Sequence, residues 1–224
     1  MTTYKAIRKN PSAAQADPQI LATLRDIPVA ALSDNMHRNI GTALLRPYHR
    51  PGARTMAGTA VTVRSRGGDN LTALRAFEFC RPGDVLVIDC GGHIDNAVIG
   101  GILSFYAASI GVAGVVLDGA IRDVAEVRER DFPVYARGVT HRGPYKDGPG
   151  EINVAVSVGG MVVNPGDIVV GDQDGLLAIP QEGVEQLIEK ARAHLETEAQ
   201  TMRAMKEGRW DRTFIDALEA RCNN

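Results

Sequence analysis

The stretch DVLVIDCGGHIDNAVIGGILSFYAASIGVAGVVLD, residues 84–118, decides the fold of this chain. It opens with a largely apolar run of strand length (84–90), continues through a long apolar segment (96–111), and closes with a second run of strand length (112–118). The short runs are typical of buried strands, and the long segment predicts a helix with Gly111 as its C-cap. Strand, helix and strand in this order predict a βαβ unit, in which a right-handed crossover joins two parallel strands.

The segments before this unit extend the same pattern. Residues 18–40 show helical spacing interrupted at Pro28, which predicts two short helices. Residues 57–66 alternate like a strand, and residues 70–80 return to helical spacing. The chain therefore has a further βα step before residue 84.

The segments after it change character. Residues 130–180 are rich in strand-forming runs punctuated by Gly and Pro, which predicts a second, more antiparallel sheet layer. Residues 183–209 form a long amphipathic helix, whose end either crosses a subunit boundary or stays solvated. We expect an α/β domain with an N-terminal helical segment over residues 1–182 and a C-terminal helical extension over residues 183–224.

Composition excludes several functional classes. The 224 residues carry a formal net charge of −2 without a dense basic stripe, so no nucleic-acid partner is expected. Cys80, Cys90 and Cys222 are too widely spaced for a zinc site and suit a reducing compartment. The chain has no long apolar run and none of the short motifs typical of phosphate loops, serine hydrolases or zinc proteases. We expect a soluble cytoplasmic protein without a membrane partner.

Charged residues follow the second predicted strand, in GVVLDGAIRDVAE (114–126). Asp118 before a glycine predicts a turn, and the residues after it lie where open α/β sheets place ligands. Asp123 with Glu126 is compatible with a helix capping box and also with two oxygen ligands of a Mg²⁺ or Mn²⁺ ion. Arg122 offers a planar fork for a carboxylate or an enolate.

The glycines of GGILS (100–104) are the second candidate site. Glycine at a helix start lets the backbone approach a ligand, and free N–H groups there bind anions. Close packing of a helix on the sheet explains the same glycines equally well.

Three segments carry a resemblance when they are taken together: Gly100-Gly101-Ile102-Leu103, GVAGVVLDGAIRD (111–123) and GDQDGLLAIP (171–180). With them the chain resembles the RraA-like family, which includes the class II 4-hydroxy-4-methyl-2-oxoglutarate/4-carboxy-4-hydroxy-2-oxoadipate aldolases. The resemblance extends from about residue 31 to about residue 205. It implies a swivelling β/β/α-type domain with N-terminal helices and a long C-terminal helix, assembled as a homotrimer or homohexamer.

The resemblance also implies roles for individual residues. Asp123 would hold Mg²⁺ or Mn²⁺, Arg122 would bind the substrate, and backbone amides of Gly100, Gly101, Ile102 and Leu103 would bind its pyruvoyl end. Glu198, or Glu196, would reach the site of a neighbouring subunit. In the aldolases an Asp precedes the Arg-Asp pair by twenty intervening residues, whereas this chain has Gly101 there and adds Glu126 after the pair.

The expected function is therefore a metal-dependent lyase of 2-oxo acids. It would cleave 4-hydroxy-2-oxo acids by a retro-aldol reaction, release pyruvate, and decarboxylate oxaloacetate. The alternative is a protein-binding regulator, since the family takes its name from members that inhibit a ribonuclease.

Overall fold

A computed structural model describes residues 7–36, 38 and 40–222 of the chain. The helices are α1 (Pro18–Leu24), α2 (Val29–Asp34), α3 (Leu71–Ala76), α4 (Gly101–Ser109), α5 (Val124–Glu129), α6 (Val184–Lys206) and α7 (Thr213–Cys222). The strands are β1 (Ile7–Lys9), β2 (Arg46–Pro47), β3 (Met56–Ser65), β4 (Asp84–Ile99), β5 (Gly114–Ile121), β6 (Val134–Val139), β7 (Gly150–Ile152), β8 (Val156–Val158), β9 (Met161–Val163), β10 (Ile168–Gly171) and β11 (Leu176–Ile179). The two helices on either side of Pro28 and the strand-helix step before residue 84 are confirmed.

Four parallel strands form the centre of the main sheet. Their order is β3-β4-β5-β6, and β7, β1 and β2 extend the sheet at its two sides. Strand β10 pairs antiparallel with β3 and carries β11, so both belong to the same nine-stranded sheet. The prediction of a separate antiparallel layer for residues 130–180 is thus wrong for these strands. Only β8 and β9 form a sheet of their own.

Strand β4 is longer than its sequence indicates. Residues 96–99, predicted as the start of a helix, continue the strand because Ala97 and Ile99 pair with Ala120 and Ile121 of β5. The pairing between β4 and β5 shifts register in this part of β4. The shifts begin near Gly91 and Gly92, which both have positive φ angles. The crossover helix α4 consequently begins only at Gly101.

Successive side chains of the central strands point to opposite faces of the sheet, and both faces are buried. Leu86 and Ile88 of β4 and Leu117 of β5 belong to a core cluster with side chains of α3, α4 and α5. Val87 and Val116 point into a second cluster, which contains the apolar residues of the β8-β9 hairpin. The result is a hairpin layer, a central sheet and a helical layer.

A third core cluster joins the two N-terminal helices and the start of α6 to the sheet. Leu24 and Leu32 of the two N-terminal helices pack with Ile168 of β10 and with Leu187 and Ile188 at the start of α6. Beyond these turns α6 becomes largely exposed, and α7 has no buried residue. Among the described residues, no helix is both long and apolar enough to cross a membrane.

Candidate functional site

The carboxyl ends of three parallel strands meet at one edge of the sheet. Ile99 of β4 pairs with Ile121 of β5, which in turn pairs with Val139 of β6. Arg122 follows directly, and its backbone N–H donates to the Ile99 carbonyl at 3.0 Å. The sheet therefore brings the start of α4 and the Arg122-Asp123 pair to the same place, as the sequence predicts for ligand-binding residues of an α/β sheet.

Asp123 is held in an unusual backbone conformation. It precedes α5 with φ 57° and ψ 39°, in the left-handed region. Its Oδ2 accepts a hydrogen bond from the Gly101 N–H at 2.9 Å and lies 3.6 Å from Arg122 Nε. Side-chain capping of α5 by Asp123 is absent, so the capping-box interpretation is wrong. The carboxylate instead faces the beginning of α4, because the left-handed turn directs it across the strand ends.

Glu126 also packs against Gly101. It pairs with Arg130, whose guanidinium also donates to the Gly101 carbonyl at 2.7 Å. A Cβ atom built on Gly101 would lie 2.5 Å from Glu126 Cδ and 2.8 Å from Oε1. The Glu126 carboxylate thus occupies the space that a side chain at position 101 would need.

Gly100 also leaves space for neighbouring side chains, here those of Asp123 and Arg122. A Cβ atom there would lie 2.5 Å from Asp123 Oδ2 and 2.9 Å from Arg122 Cγ. Both glycines therefore make room for acidic side chains, and they also open the first turn of α4. By helix geometry the N–H groups of Ile102 and Leu103 have no acceptor within the helix, which leaves them available for an anion.

A cavity of about 380 Å³ lies over these residues. It is lined by the ends of the strands, the first turn of α4, and a loop from the segment before β7. The lining residues are Asn70, Leu74, Ala97, Val98, Ile99, Gly100, Ile102, Leu103, Arg122, Asp123, Gly143, Pro144 and Lys146. Of the predicted site residues, Arg122, Asp123, Gly100, Ile102 and Leu103 share this cavity, and Gly101 and Glu126 adjoin them.

No site role was predicted for Asn70, which lines the cavity, or for Asp69, which supports the cavity loop. Asp69 is fully buried, and its carboxylate accepts hydrogen bonds from the N–H groups of Leu71, Asp147 and Gly148. Asn70 lines the cavity and donates to the Val98 carbonyl at 3.2 Å, while its Oδ1 has no hydrogen-bond partner among the described residues. An Asp-Asn pair before a helix is a capping signal, but only the fold shows that it also holds the cavity loop.

Asp118 does not form the predicted turn. It lies within β5, which continues to Ile121 because β4 and β6 run alongside it. Its buried carboxylate pairs with Arg137 Nε at 2.5 Å and accepts from the Gly159 N–H at 2.8 Å. The hydrogen bond to Asp118 raises the pKa of the Arg137 guanidinium. Asp118 therefore joins β5, β6 and the β8-β9 turn, outside the cavity.

Glu198 is not brought to this cavity within the chain. It is exposed on α6, and its Oε1 lies 3.2 Å from His194 Nε2. Glu196, the other acid considered, pairs with Arg203 on the same helix. Neither glutamate lines the cavity beside Asp123, so contact with that site requires another copy of the chain.

Burial changes the acidity of two of the three thiols. Burial raises the pKa of Cys80 and of Cys90 to about 12 in each case. Both therefore remain protonated near neutral pH, which makes them poor nucleophiles.

The donors at this edge suit a hard divalent cation. Asp123 and Glu126 supply carboxylate oxygens, which Mg²⁺ and Mn²⁺ prefer, and Mg²⁺ is commonly bound by one or two carboxylates with water and substrate. No group of three or more His, Cys, Asp or Glu side chains within the described ranges could hold a metal. The residues therefore fit an open site that a substrate completes, and do not fit a closed structural metal centre.

Comparison with known proteins agrees with this architecture. The model of the RraA-like family, described as Aldolase/RraA, matches residues 29–178. A relative from Thermus thermophilus named 4-hydroxy-4-methyl-2-oxoglutarate aldolase is 37% identical over 142 residues, 63% of this chain and 86% of the relative. A relative from Halalkalibacterium halodurans, provisionally named for the same activity, is 38% identical over 180 residues, 80% of this chain and 84% of the relative.

A solved structure supports the same grouping. Streptomyces coelicolor RraAS2, described as an unusual member of the RNase ES inhibitor RraA protein family, superimposes with a TM-score of 0.76 and 27% identity. The match covers 85% of this chain and 98% of that one. This chain belongs to the RraA-like family, and the predicted mixed α/β fold with N-terminal helices and a long C-terminal helix is confirmed.

Proposed function

We propose that this protein is a divalent-metal-dependent lyase of 2-oxo acids. It would cleave 4-hydroxy-2-oxo acids by a retro-aldol reaction with release of pyruvate, and it would decarboxylate oxaloacetate. The observation that carries the proposal is the convergence of Asp123, Arg122 and the open first turn of α4 on one cavity. The names of the 37% and 38% identical relatives support the aldol part of it.

The residues divide the chemistry in a simple way. Asp123 would hold Mg²⁺ or Mn²⁺, with Glu126 beside it as the second carboxylate, and the bound cation would act as a Lewis acid on the 2-oxo group. The free N–H groups of Ile102 and Leu103 would bind the substrate carboxylate. Arg122 would stabilise the negative charge that develops on the enolate oxygen when the bond between C3 and C4 breaks.

Glu126 could compensate for the missing Asp at position 101, where this chain differs from the aldolase pattern. Its carboxylate fills the space above Gly101, the position at which the aldolase pattern has an Asp. Because this acid comes from α5 and is also paired with Arg130, its position differs in detail. We propose that aldol chemistry survives the exchange.

The site would be completed by a neighbouring subunit of a homotrimer or homohexamer. Two large apolar side chains of α4 beside the cavity face solvent in the single chain, with Ile102 79% and Phe105 62% exposed. Exposed apolar side chains next to a cavity are typical of an interface. Glu198 of the neighbour, or Glu196, is the proposed additional catalytic acid.

Asp123→Ala tests the proposal. Pyruvate release from oxaloacetate and from 4-hydroxy-4-methyl-2-oxoglutarate is followed by coupling to lactate dehydrogenase, with Mg²⁺ or Mn²⁺ and a protein-free metal blank. We expect EDTA to abolish turnover and Asp123→Ala to lower it on the order of a hundredfold or more, as when an electrostatic stabiliser is removed. Asp95→Ala, which removes an exposed acid outside the cavity, is the matched control.

Unchanged turnover in Asp123→Ala would contradict the proposed lyase. The alternative function is a regulator that inhibits a ribonuclease by binding it, favoured by the description of the Streptomyces coelicolor relative. That function needs neither substrate nor cation. The regulator function would be favoured if the protein released no pyruvate from either 2-oxo acid and inhibited a ribonuclease in the presence of EDTA.

A further inference from the structure

A second cavity, of about 420 Å³, opens at the opposite edge of the sheet. It is lined by residues at the starts of the four parallel central strands, namely Met56, Gly83, Ala113 and Pro133. The cavity around Asp123 lies at the ends of these strands, and none of the described residues lines both cavities. The lyase chemistry proposed above therefore makes no use of the second cavity.

Two arginine side chains line this second cavity. Arg25, at the end of α1, donates from Nη2 to the Ala57 carbonyl at 2.8 Å, which fixes its guanidinium at the start of β3. Arg54 precedes β3 and is exposed, and its side chain has neither a hydrogen bond nor an ion pair with any residue in 7–36, 38 or 40–222. Burial, and next the positive charge of Arg54, lower the pKa of the Arg25 guanidinium, so the two cations are close enough to repel each other.

Acidic side chains do not neutralise this pair of arginines within the cavity. Asp131 is the single acid among the lining residues that the structure describes, and its carboxylate lies 3.6 Å from Arg50. Asp26 raises the pKa of Arg25 but does not line the cavity. The cavity therefore carries a positive charge and favours an anion with more than one negative charge.

The lining favours a phosphate group joined to an organic body. A guanidinium binds phosphate through two parallel N–H donors, and a phosphate monoester carries about two negative charges at neutral pH. Thr55, between Arg54 and β3, adds a hydroxyl group to the same lining. The cavity is larger than a free phosphate ion needs, and Met56, Val112 and Phe132 supply buried apolar side chains beside the arginines.

We propose that Arg25 and Arg54 form a binding site for a small organic phosphate. The phosphate group lies between the two guanidinium groups, and the apolar part of the ligand packs against Val112 and Phe132. The site needs no metal ion, because cationic side chains neutralise the ligand. It is independent of the proposed lyase function, since it lies at the other edge of the sheet.

Calorimetric titration with phenyl phosphate in the presence of EDTA tests this site. Arg54→Gln removes an exposed and unpaired guanidinium, so the fold should persist while the Kd rises about tenfold. Asp131→Asn removes the acid that lines the cavity and should lower the Kd about threefold. Arg46→Gln, which removes an exposed arginine that does not line the cavity, is the matched control. Inorganic phosphate and phenol, the two halves of the probe, should each bind more weakly than phenyl phosphate.

The outcomes decide both the ligand and its place. Failure of phenyl phosphate to bind, an unchanged Kd in Arg54→Gln, or an equal loss of affinity in Arg46→Gln would overturn the proposed site. Inorganic phosphate that binds as tightly as phenyl phosphate would overturn the organic part of the ligand. Arg122→Gln should leave the Kd unchanged, and a loss of affinity in this variant that Arg54→Gln lacks would place the ligand in the other cavity and contradict the proposal.

Discussion

Gly101 and Glu126 act as a pair at the scale of single residues. The glycine leaves a space at the start of α4, and the glutamate carboxylate from α5 fills it. Arg130 holds this arrangement by bonding both the Gly101 carbonyl and the Glu126 side chain. An acid therefore stands beside position 101 although the chain carries no side chain there.

Exchanging the two positions tests this compensation. Gly101→Asp alone places a side chain against the Glu126 carboxylate, and two acids then compete for one space, so we expect about a tenfold loss of pyruvate release. Glu126→Ala alone removes the acid and should cost a similar factor. The double variant carries one acid again, from α4, and should recover most of the loss.

Steady-state kinetics at saturating Mn²⁺ provide the measurement. Gly101→Ala is the control, because it displaces Glu126 without adding an acid. Purely additive losses in the double variant would show that Glu126 does not replace an acid at position 101.

The junction between α3 and the cavity loop is the feature that matters at the scale of elements. Asp69 precedes α3 and binds the N–H of Leu71 at 2.9 Å. The same buried carboxylate accepts from Asp147 and Gly148, far away in the chain. One side chain thus fixes both a helix start and the loop that contributes Lys146 to the cavity lining.

Asp69→Ala should loosen both elements. It leaves three backbone donors without their acceptor in a buried place, which we expect to cost about 3 kcal/mol of the free energy of unfolding. Urea unfolding measures this loss, and limited proteolysis should show faster cleavage within residues 140–150. Asp147→Ala removes an exposed acid of the same loop and should change neither the free energy of unfolding nor the rate of cleavage. If Asp69→Ala is as stable as the wild-type protein, Asp69 does not hold the two elements together.

Helix α6 carries the residue on which the proposed assembly depends. Its first turns pack in the core with the N-terminal helices, and its later turns project an exposed face that carries Glu198. Since Glu198 does not reach the cavity of its own chain, the proposed role requires a neighbouring copy. We expect that copy to cover the exposed apolar residues of α4 beside the cavity.

Complementation between inactive variants tests the shared site. Asp123→Ala and Glu198→Ala should each be inactive alone, and their co-expressed mixture should regain about a quarter of the wild-type turnover, because random assembly pairs two intact halves at that frequency. Glu189→Ala, an exposed acid on the same helix, should remain active. A mixture as inactive as its parents would exclude a site completed by Glu198 of a neighbour.

Apolar periodicity was enough to predict most elements of this fold. Strand β5, the two helices around Pro28 and the long amphipathic α6 follow from local pattern alone, because burial of one face imposes a spacing on the sequence. The sequence misplaces the start of α4 because the apolar residues Ala97, Val98 and Ile99 suit a buried strand as well as a buried helix. Their strand pairing with β5 is a non-local interaction that no local pattern reports.

The sequence by itself determined that acidic and basic side chains follow a buried strand, and that glycines open the crossover helix. Only the tertiary structure decided their partners. Asp118 pairs with Arg137, and Asp123 accepts a hydrogen bond from Gly101 and none from its own helix. Asp69 accepts hydrogen bonds from a loop almost eighty residues away in the chain. The physical reason is that a carboxylate takes its hydrogen bonds from whichever donors the fold brings close, and these donors lie far apart in the chain. For the buried Asp69 and Asp118 such donors are obligatory, because an unpaired buried charge is costly.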